Sequence, residues 1–213
     1  MPGQSPSTVE LEFTRQHEQE HAQTCRQPAP RRLRLVFWRD EQLVRNALKA
    51  AGEPGLVLDV ACGAGRFWPV LAEHANRVIL AADPSPQMLD HALAHHDEAL
   101  LERVRTFPSS AFTLGLSANA VDCIFCLQLF LHIQASEHRL ALLREFHRVS
   151  RDTVIVSVQI EGRLRTGQPP PRRLVDRARV EAEFIEAGFS VQWYQDFLPG
   201  FALKRVYVLR KTS

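Results

Sequence analysis

Residues 57–67 read VLDVACGAGRF: an apolar run that ends on an acid and then opens into alanine, cysteine and glycine. A turn built of such small residues lets a ligand approach the backbone closely. In an open α/β sheet, ligands sit beyond the carboxyl ends of the strands, where the strand order reverses, and Asp59 to Gly65 lies at such an end. The class of ligand held there decides what the chain does.

Working outward, apolar strand-like runs recur at 56–61, 77–82, 104–107, 121–127 and 153–159. Helix-like segments separate them at 65–75, 85–97 and 136–150. The strands are apolar throughout instead of alternating, the pattern of a sheet covered by helices on both faces. Regular alternation predicts parallel strands with right-handed crossovers. The rhythm breaks after a last helix-like stretch at 174–187, where SVQWYQDF and FALKRVYVLR are separated only by LPG. That spacing is too short for a crossover, so these two strands form a hairpin and one strand near the end of the sheet runs antiparallel.

At 213 residues the chain has the length of one substantial domain, and 45% apolar with 23% charged residues is globular composition. The division expected is an N-terminal helical arm or lid at 1–37 and a single main domain at 38–213. Residues 31–51 form a helix, with Leu35, Trp38, Leu43, Ala47 and Leu48 assigned to one stripe. A net charge of +2 is too small to argue for nucleic acid. Four cysteines make no disulfide framework, and the start carries no secretory pattern, so a cytoplasmic setting without a membrane span is expected.

The turn itself excludes two familiar ligands. The third glycine of G-x-G-x-x-G is replaced by Trp68, too bulky for close helix–strand packing, and no G-x-x-x-x-G-K-[ST] occurs. Asp59 would repel a pyrophosphate in a water-poor cleft and attract a cation. Asp83, at the end of the second strand, is placed to accept ribose hydroxyls, although a helix cap before PSPQML is an alternative role. Together these features describe a nucleoside without phosphate, its sugar held and a positive charge nearby.

The run D-x-A-C-G-A-G-R resembles the first motif of the class I S-adenosylmethionine-dependent methyltransferases. ILAADPSPQML resembles the second motif, VDCIFCLQLFLHI the fourth-strand motif, and EFHRVSRDTVIVSV the fifth strand with its preceding helix. The similarity runs from about Trp38 to the C-terminus. It implies a Rossmann-like, mostly parallel seven-stranded sheet of order 3-2-1-4-5-7-6, with an antiparallel last strand, helices on both faces and an N-terminal helical lid. It implies S-adenosylmethionine as cofactor and methyl transfer to an O, N or C atom of a small-molecule acceptor. Asp59, Ala61, Gly63 and Gly65 would border its methionine part, Asp83 would hold the ribose, and Pro84 and Met88 would wall the adenine. Ser110 and Ala111 would read the adenine edge, and Leu127 would face the reactive methyl. Two positions depart from the family: Ala61 stands where the first motif glycine is usual, and Ser110 where an aspartate is usual.

His132 follows the fourth strand at the mouth of this cleft, where a histidine can take a proton from the acceptor or shape the turn. No metal site is expected. His17 and His21 spell H-E-x-x-H in a polar arm that cannot orient metal ligands, and Cys123 and Cys126 fall on opposite faces of a strand. Gln128 and Leu131 stand where metal-assisted quinone methyltransferases of the superfamily carry glutamates. Arginines at 163, 165, 172, 173, 177 and 179, with Arg31, Arg32 and Arg34, could form a basic rim for an anionic acceptor or a solvated loop. Nucleic acid is disfavoured because LQLF replaces an N-P-P-[YF] target-base motif. A non-catalytic, cofactor-binding partner subunit of the same fold is the alternative class; oligomeric state is not read from the sequence.

Overall fold

The computed structural model describes residues 31–160, 174–197 and 204–212. The chain enters on helix α1 (Arg31–Ala50). It continues through β1 (Leu56–Val60), α2 (Trp68–Leu71), β2 (Val78–Asp83), α3 (Pro86–His95), α4 (Glu98–Leu101), β3 (Val104–Pro108) and β4 (Val121–Cys126). A short 3-10 helix (Leu129–His132) leads to α5 (Ser136–Val149), β5 (Ser150–Val158), α6 (Arg177–Glu186), β6 (Phe189–Asp196) and β7 (Arg205–Lys211). The sheet order is β3-β2-β1-β4-β5-β7-β6. β1 lies parallel to β2 and β4, while β7 runs antiparallel to both β5 and β6. The hairpin read from LPG is therefore present, and β7 is the antiparallel strand.

Alternate strand residues serve opposite faces, as a two-residue period requires. Leu58, Ile124, Val154, Val156 and Leu209 pack under α5 and α6, against Leu142, Phe146 and Phe184. Val57, Phe125, Ile155 and Val208 pack under α1 to α3, against Val44, Leu48, Trp68 and Ala92. Cys123 and Cys126 divide between these two cores. Burial on both faces explains why the strands lack polar alternation.

Two expectations are corrected. The stripe on α1 runs through Leu43, Val44, Ala47, Leu48 and Ala51, whereas Leu35 and Trp38 are 73% and 57% exposed. At 100° per residue these two fall on the face opposite the buried line, which continues back through Asp40. The helix expected at 65–75 is one turn long, Trp68–Leu71. Arginine side chains take the carbonyls that a longer helix would use: Arg77 Nη1 donates to Leu71 O (2.8 Å), and Arg103 Nη1 to Ala72 O (2.7 Å). The lid expected at 1–37 and the H-E-x-x-H histidines lie outside the described residues, except where α1 begins. No described helix is long and apolar enough to cross a membrane.

Candidate cofactor site

The chain leaves β1 through three left-handed residues in five: Ala61 (φ 56°), Gly63 (φ 54°) and Gly65 (φ 71°). Only glycine adopts this region without strain, and alanine does so at a small cost. Tight turns follow from it, with Gly65 N donating to Cys62 O and Trp68 N to Gly65 O, each at 3.0 Å. The loop is stitched to the next strand by Cys62 N donating to Ala82 O (3.2 Å) and Gly63 N to Asp83 Oδ2 (2.9 Å).

Asp83 is the junction of three loops. Its Oδ1 accepts from Ser85 N (3.0 Å), and its backbone carbonyl accepts from Ser109 N (3.1 Å) on the loop that carries Ser110 and Ala111. The helix-cap role falls instead to Ser85, whose Oγ accepts from Met88 N (3.4 Å). Pro84 and Met88 are half-buried at the start of α3. Ser110 Oγ accepts from Phe112 N (3.1 Å), folding the turn around buried Ala111.

Asp59 is buried, and its Oδ2 accepts from the Trp68 indole N–H (3.1 Å). Burial raises its pKa to about 8; the indole bond opposes the shift and the nearby Asp83 charge adds to it. Burial thus favours the protonated form of Asp59 near neutral pH, unlike the charged acid that the spacing implies. Burial, with the charges of Asp59 and Asp83, likewise pushes the Cys62 thiol up.

Trp68, read from the sequence only as too bulky for a glycine position, and His96, not singled out there, support the turn. A Cβ added at Gly65 would stand 2.5 Å from Trp68 Cδ2, so the indole is the floor of the turn and Gly65 must be bare. The His96 ring lies 5.0 Å from the indole, and its Nε2 donates to Ala64 O at 3.0 Å. The bulk of Trp68 was a legible signal, whereas nothing local marked His96, which arrives from beyond α3.

On the neighbouring strand, Leu127 is buried just past β4. Gln128 turns left-handed (φ 82°), its N–H donating to Ser157 Oγ (3.1 Å), and the 3-10 helix sets His132 half-buried at its last position. Of the basic segment, Arg177 and Arg179 are paired with Glu181 (2.9 Å) and Glu183 (3.7 Å). The other arginines named for a rim lie outside the described residues or, on the first turn of α1, have side chains that are not described.

Comparison with known proteins bears on the fold. Residues 57–153 match the family described as methyltransferase domain. No curated protein matches the sequence. The fold is shared with magnesium protoporphyrin IX methyltransferase (ChlM) from Synechocystis PCC 6803, solved with bound SAH. That likeness has a TM-score of 0.75 at 18% identity and covers 97% of this chain and 100% of that one. A SAM-dependent methyltransferase from Aquifex aeolicus superposes with a TM-score of 0.58 at 23% identity, covering 74% of this chain and 82% of that one. The [4+2]-cyclase SpnF shares the fold as well, with a TM-score of 0.68 at 16% identity over 81% and 80% of the two chains. With its matched segment and its sheet order, the chain has the Rossmann-like fold of the class I S-adenosylmethionine-dependent methyltransferases.

Proposed function

We propose that the chain methylates a nucleophilic O, N or C atom of a small molecule, with the cofactor seated on the β1 and β2 strand ends. One observation carries this reading: Asp59 is buried against the Trp68 indole with its pKa raised by desolvation, next to Asp83, which already orders the glycine turn. A buried acid whose pKa is raised by desolvation is completed by a positive group, which suits an ammonium or sulfonium and opposes a pyrophosphate. S-adenosylmethionine, when bound, supplies an electrophilic methyl carbon on a positively charged sulfur.

The residues of this chain then have distinct tasks. Gly63 and Gly65 bring the backbone close to the aminoacyl end, with Asp59 ionising beside its ammonium. Asp83 accepts the ribose hydroxyls, Pro84 and Met88 wall the adenine, and Ser110 and Ala111 border its edge. Leu127 presents an apolar wall that keeps water from the transferring methyl. His132 takes the acceptor proton where the nucleophile carries one, and alignment of the reacting atoms supplies most of the acceleration.

A small acceptor is supported by the likeness to ChlM over that protein's whole length and by a net charge near zero. The cyclase of the same fold is a reminder that fold alone does not name a reaction. Calorimetry with S-adenosylmethionine and S-adenosylhomocysteine, with NAD and ATP as controls, tests the cofactor assignment; uptake of NAD or ATP in their place overturns it. A screen for S-adenosylhomocysteine release with small molecules and RNA then identifies the acceptor class. On an oxygen or nitrogen acceptor, His132→Asn lowers kcat by about 100-fold or more. An unchanged kcat assigns His132 to the turn alone.

A further inference from the structure

The glycine turn has a second anchor, outside the cofactor motifs. Arg66 follows Gly65 directly, and its Nη2 donates to Asp40 Oδ2 of α1 at 2.8 Å. The guanidinium lies 4.3 Å from the Phe37 ring centroid and 4.8 Å from that of Phe67, stacked where α1 crosses the turn. Asp40 is nearly fully buried, and its other oxygen accepts from Lys204 Nζ at 2.6 Å, at the start of β7. One residue away, Arg39 Nε donates to Phe197 O (2.9 Å), just past the end of β6. A single turn of α1 thus grips the outgoing limb of the glycine turn and the mouth of the β6–β7 hairpin.

Such a grip answers a local weakness. Helix α2 has one turn, and its N-cap Phe67 makes no side-chain cap bond, so the turn is not fixed by a long helix leaving it. The left-handed conformation of Ala61 raises its energy further. Burying a carboxylate is costly unless cations complete it, and here the two completing cations belong to the two segments that flank α1.

We propose that Asp40 is a positioning residue for cofactor binding, which holds the glycine turn in its binding shape through Arg66. The proposal rests on the assignment of that turn to the methionine end of the cofactor. Calorimetry on the full chain compares S-adenosylhomocysteine with 5′-methylthioadenosine, which lacks the aminoacyl end. Asp40→Asn and Arg66→Gln each weaken S-adenosylhomocysteine about tenfold, and the double variant is no worse than either single one, as for two halves of one contact. Methylthioadenosine changes by less than about threefold, a selectivity that general loosening does not produce.

Single variants that leave S-adenosylhomocysteine binding intact, or that weaken both compounds equally, overturn the proposal. So does tighter binding in Asp40→Asn with weaker binding in Arg66→Gln, which would put Arg66 on the ligand itself. Should Asp40→Asn fail to fold, Arg66→Gln, at a side chain one-third exposed, carries the same comparison. A wild-type chain that binds neither compound overturns the cofactor assignment and the proposal together; wild-type binding with unaffected variants overturns the proposal alone.

Discussion

The two halves of the sheet hold their loops by different means. In the β3-β2-β1 half, the loops are made by the main chain and tied to acids: Gly63 N and Ser85 N both donate to Asp83, and Asp59 accepts from Trp68. In the β4-β5-β7-β6 half, the loop bearing His132 is held from behind by a side chain. Arg139 Nη1 donates to Ile133 O (3.1 Å) and Gln134 O (2.6 Å), while its Nε and Nη2 donate to Glu183 of α6 at 2.7 and 2.6 Å. Both halves bury charge, but in the second the Arg139 and Glu183 charges answer each other. Among the described residues no cation pairs with Asp59, so in the first half a buried acid is answered only by an indole N–H.

The sharpest way to break this contrast is to unbalance the second half. Arg139 and Glu183 are 1% and 4% exposed, and Ser136 Oγ donates to the same carboxylate at 2.5 Å. Glu183→Leu strands a buried guanidinium and costs about 3–5 kcal/mol by chemical denaturation. Arg139→Met with Glu183→Leu restores most of that loss, because what is expensive is the unpaired charge. The same two helices carry a control: Arg144 and Glu186 form an ion pair at 3.0 Å with both side chains more than half exposed. Glu186→Gln changes stability by no more than about 0.5 kcal/mol. Equal costs at 183 and 186 would refute the assignment of burial as the deciding variable.

In the main-chain half, backbone conformation should dominate, with opposite signs at two neighbouring positions. Gly65→Ala drives a Cβ to 2.5 Å from an indole that is fully buried and cannot step aside, at φ 71°. The expected loss is about 2–4 kcal/mol from overpacking and left-handed strain together. Ala61→Gly removes a Cβ at φ 56° and gains up to about 1 kcal/mol, less the entropy that glycine adds to the unfolded chain. Denaturant midpoints that move the same way at both positions would show that conformation does not govern this loop.

The same division explains what could be read from the sequence. A site built by the backbone requires small residues and turn formers in a fixed string, so Asp59, Gly63, Gly65 and Asp83 stood out; the closing hairpin was read from its spacing, and the sheet order from the family resemblance. Supports built from side chains leave no string. Arg139 meets Glu183 from 44 residues away, and Asp40 meets Lys204 from 164 away, pairs that only tertiary packing selects. Trp68 was legible as an exception to the dinucleotide pattern, but its bond to Asp59 was not, because spacing does not reveal where an indole N–H points. The α1 stripe failed for a related reason: Leu35 and Trp38 are apolar without facing the sheet. The charge state of Asp59 was hidden too, since it depends on burial.

That charge state gives the finest test of the difference between the halves. With its folded pKa raised to about 8 by burial, Asp59 keeps a proton that an unfolded carboxyl, with a pKa near 4, has already lost. Between about pH 4 and pH 8 the unfolded state therefore binds fewer protons at this site, and its contribution to stability falls as pH rises. Binding has the opposite slope. If the cofactor's ammonium requires the ionised form, S-adenosylhomocysteine affinity rises by up to about tenfold per unit from pH 6 to pH 8 and levels off above the folded pKa. Calorimetry at pH 7 in buffers of different ionisation enthalpy should register proton release, and Asp59→Asn should abolish both the release and the slope. The Arg139→Met and Glu183→Leu double variant leaves that slope in place, because its pair lies in the other half of the sheet. A slope that survives Asp59→Asn would assign the proton to another group and remove the buried acid as the feature that sets this half apart.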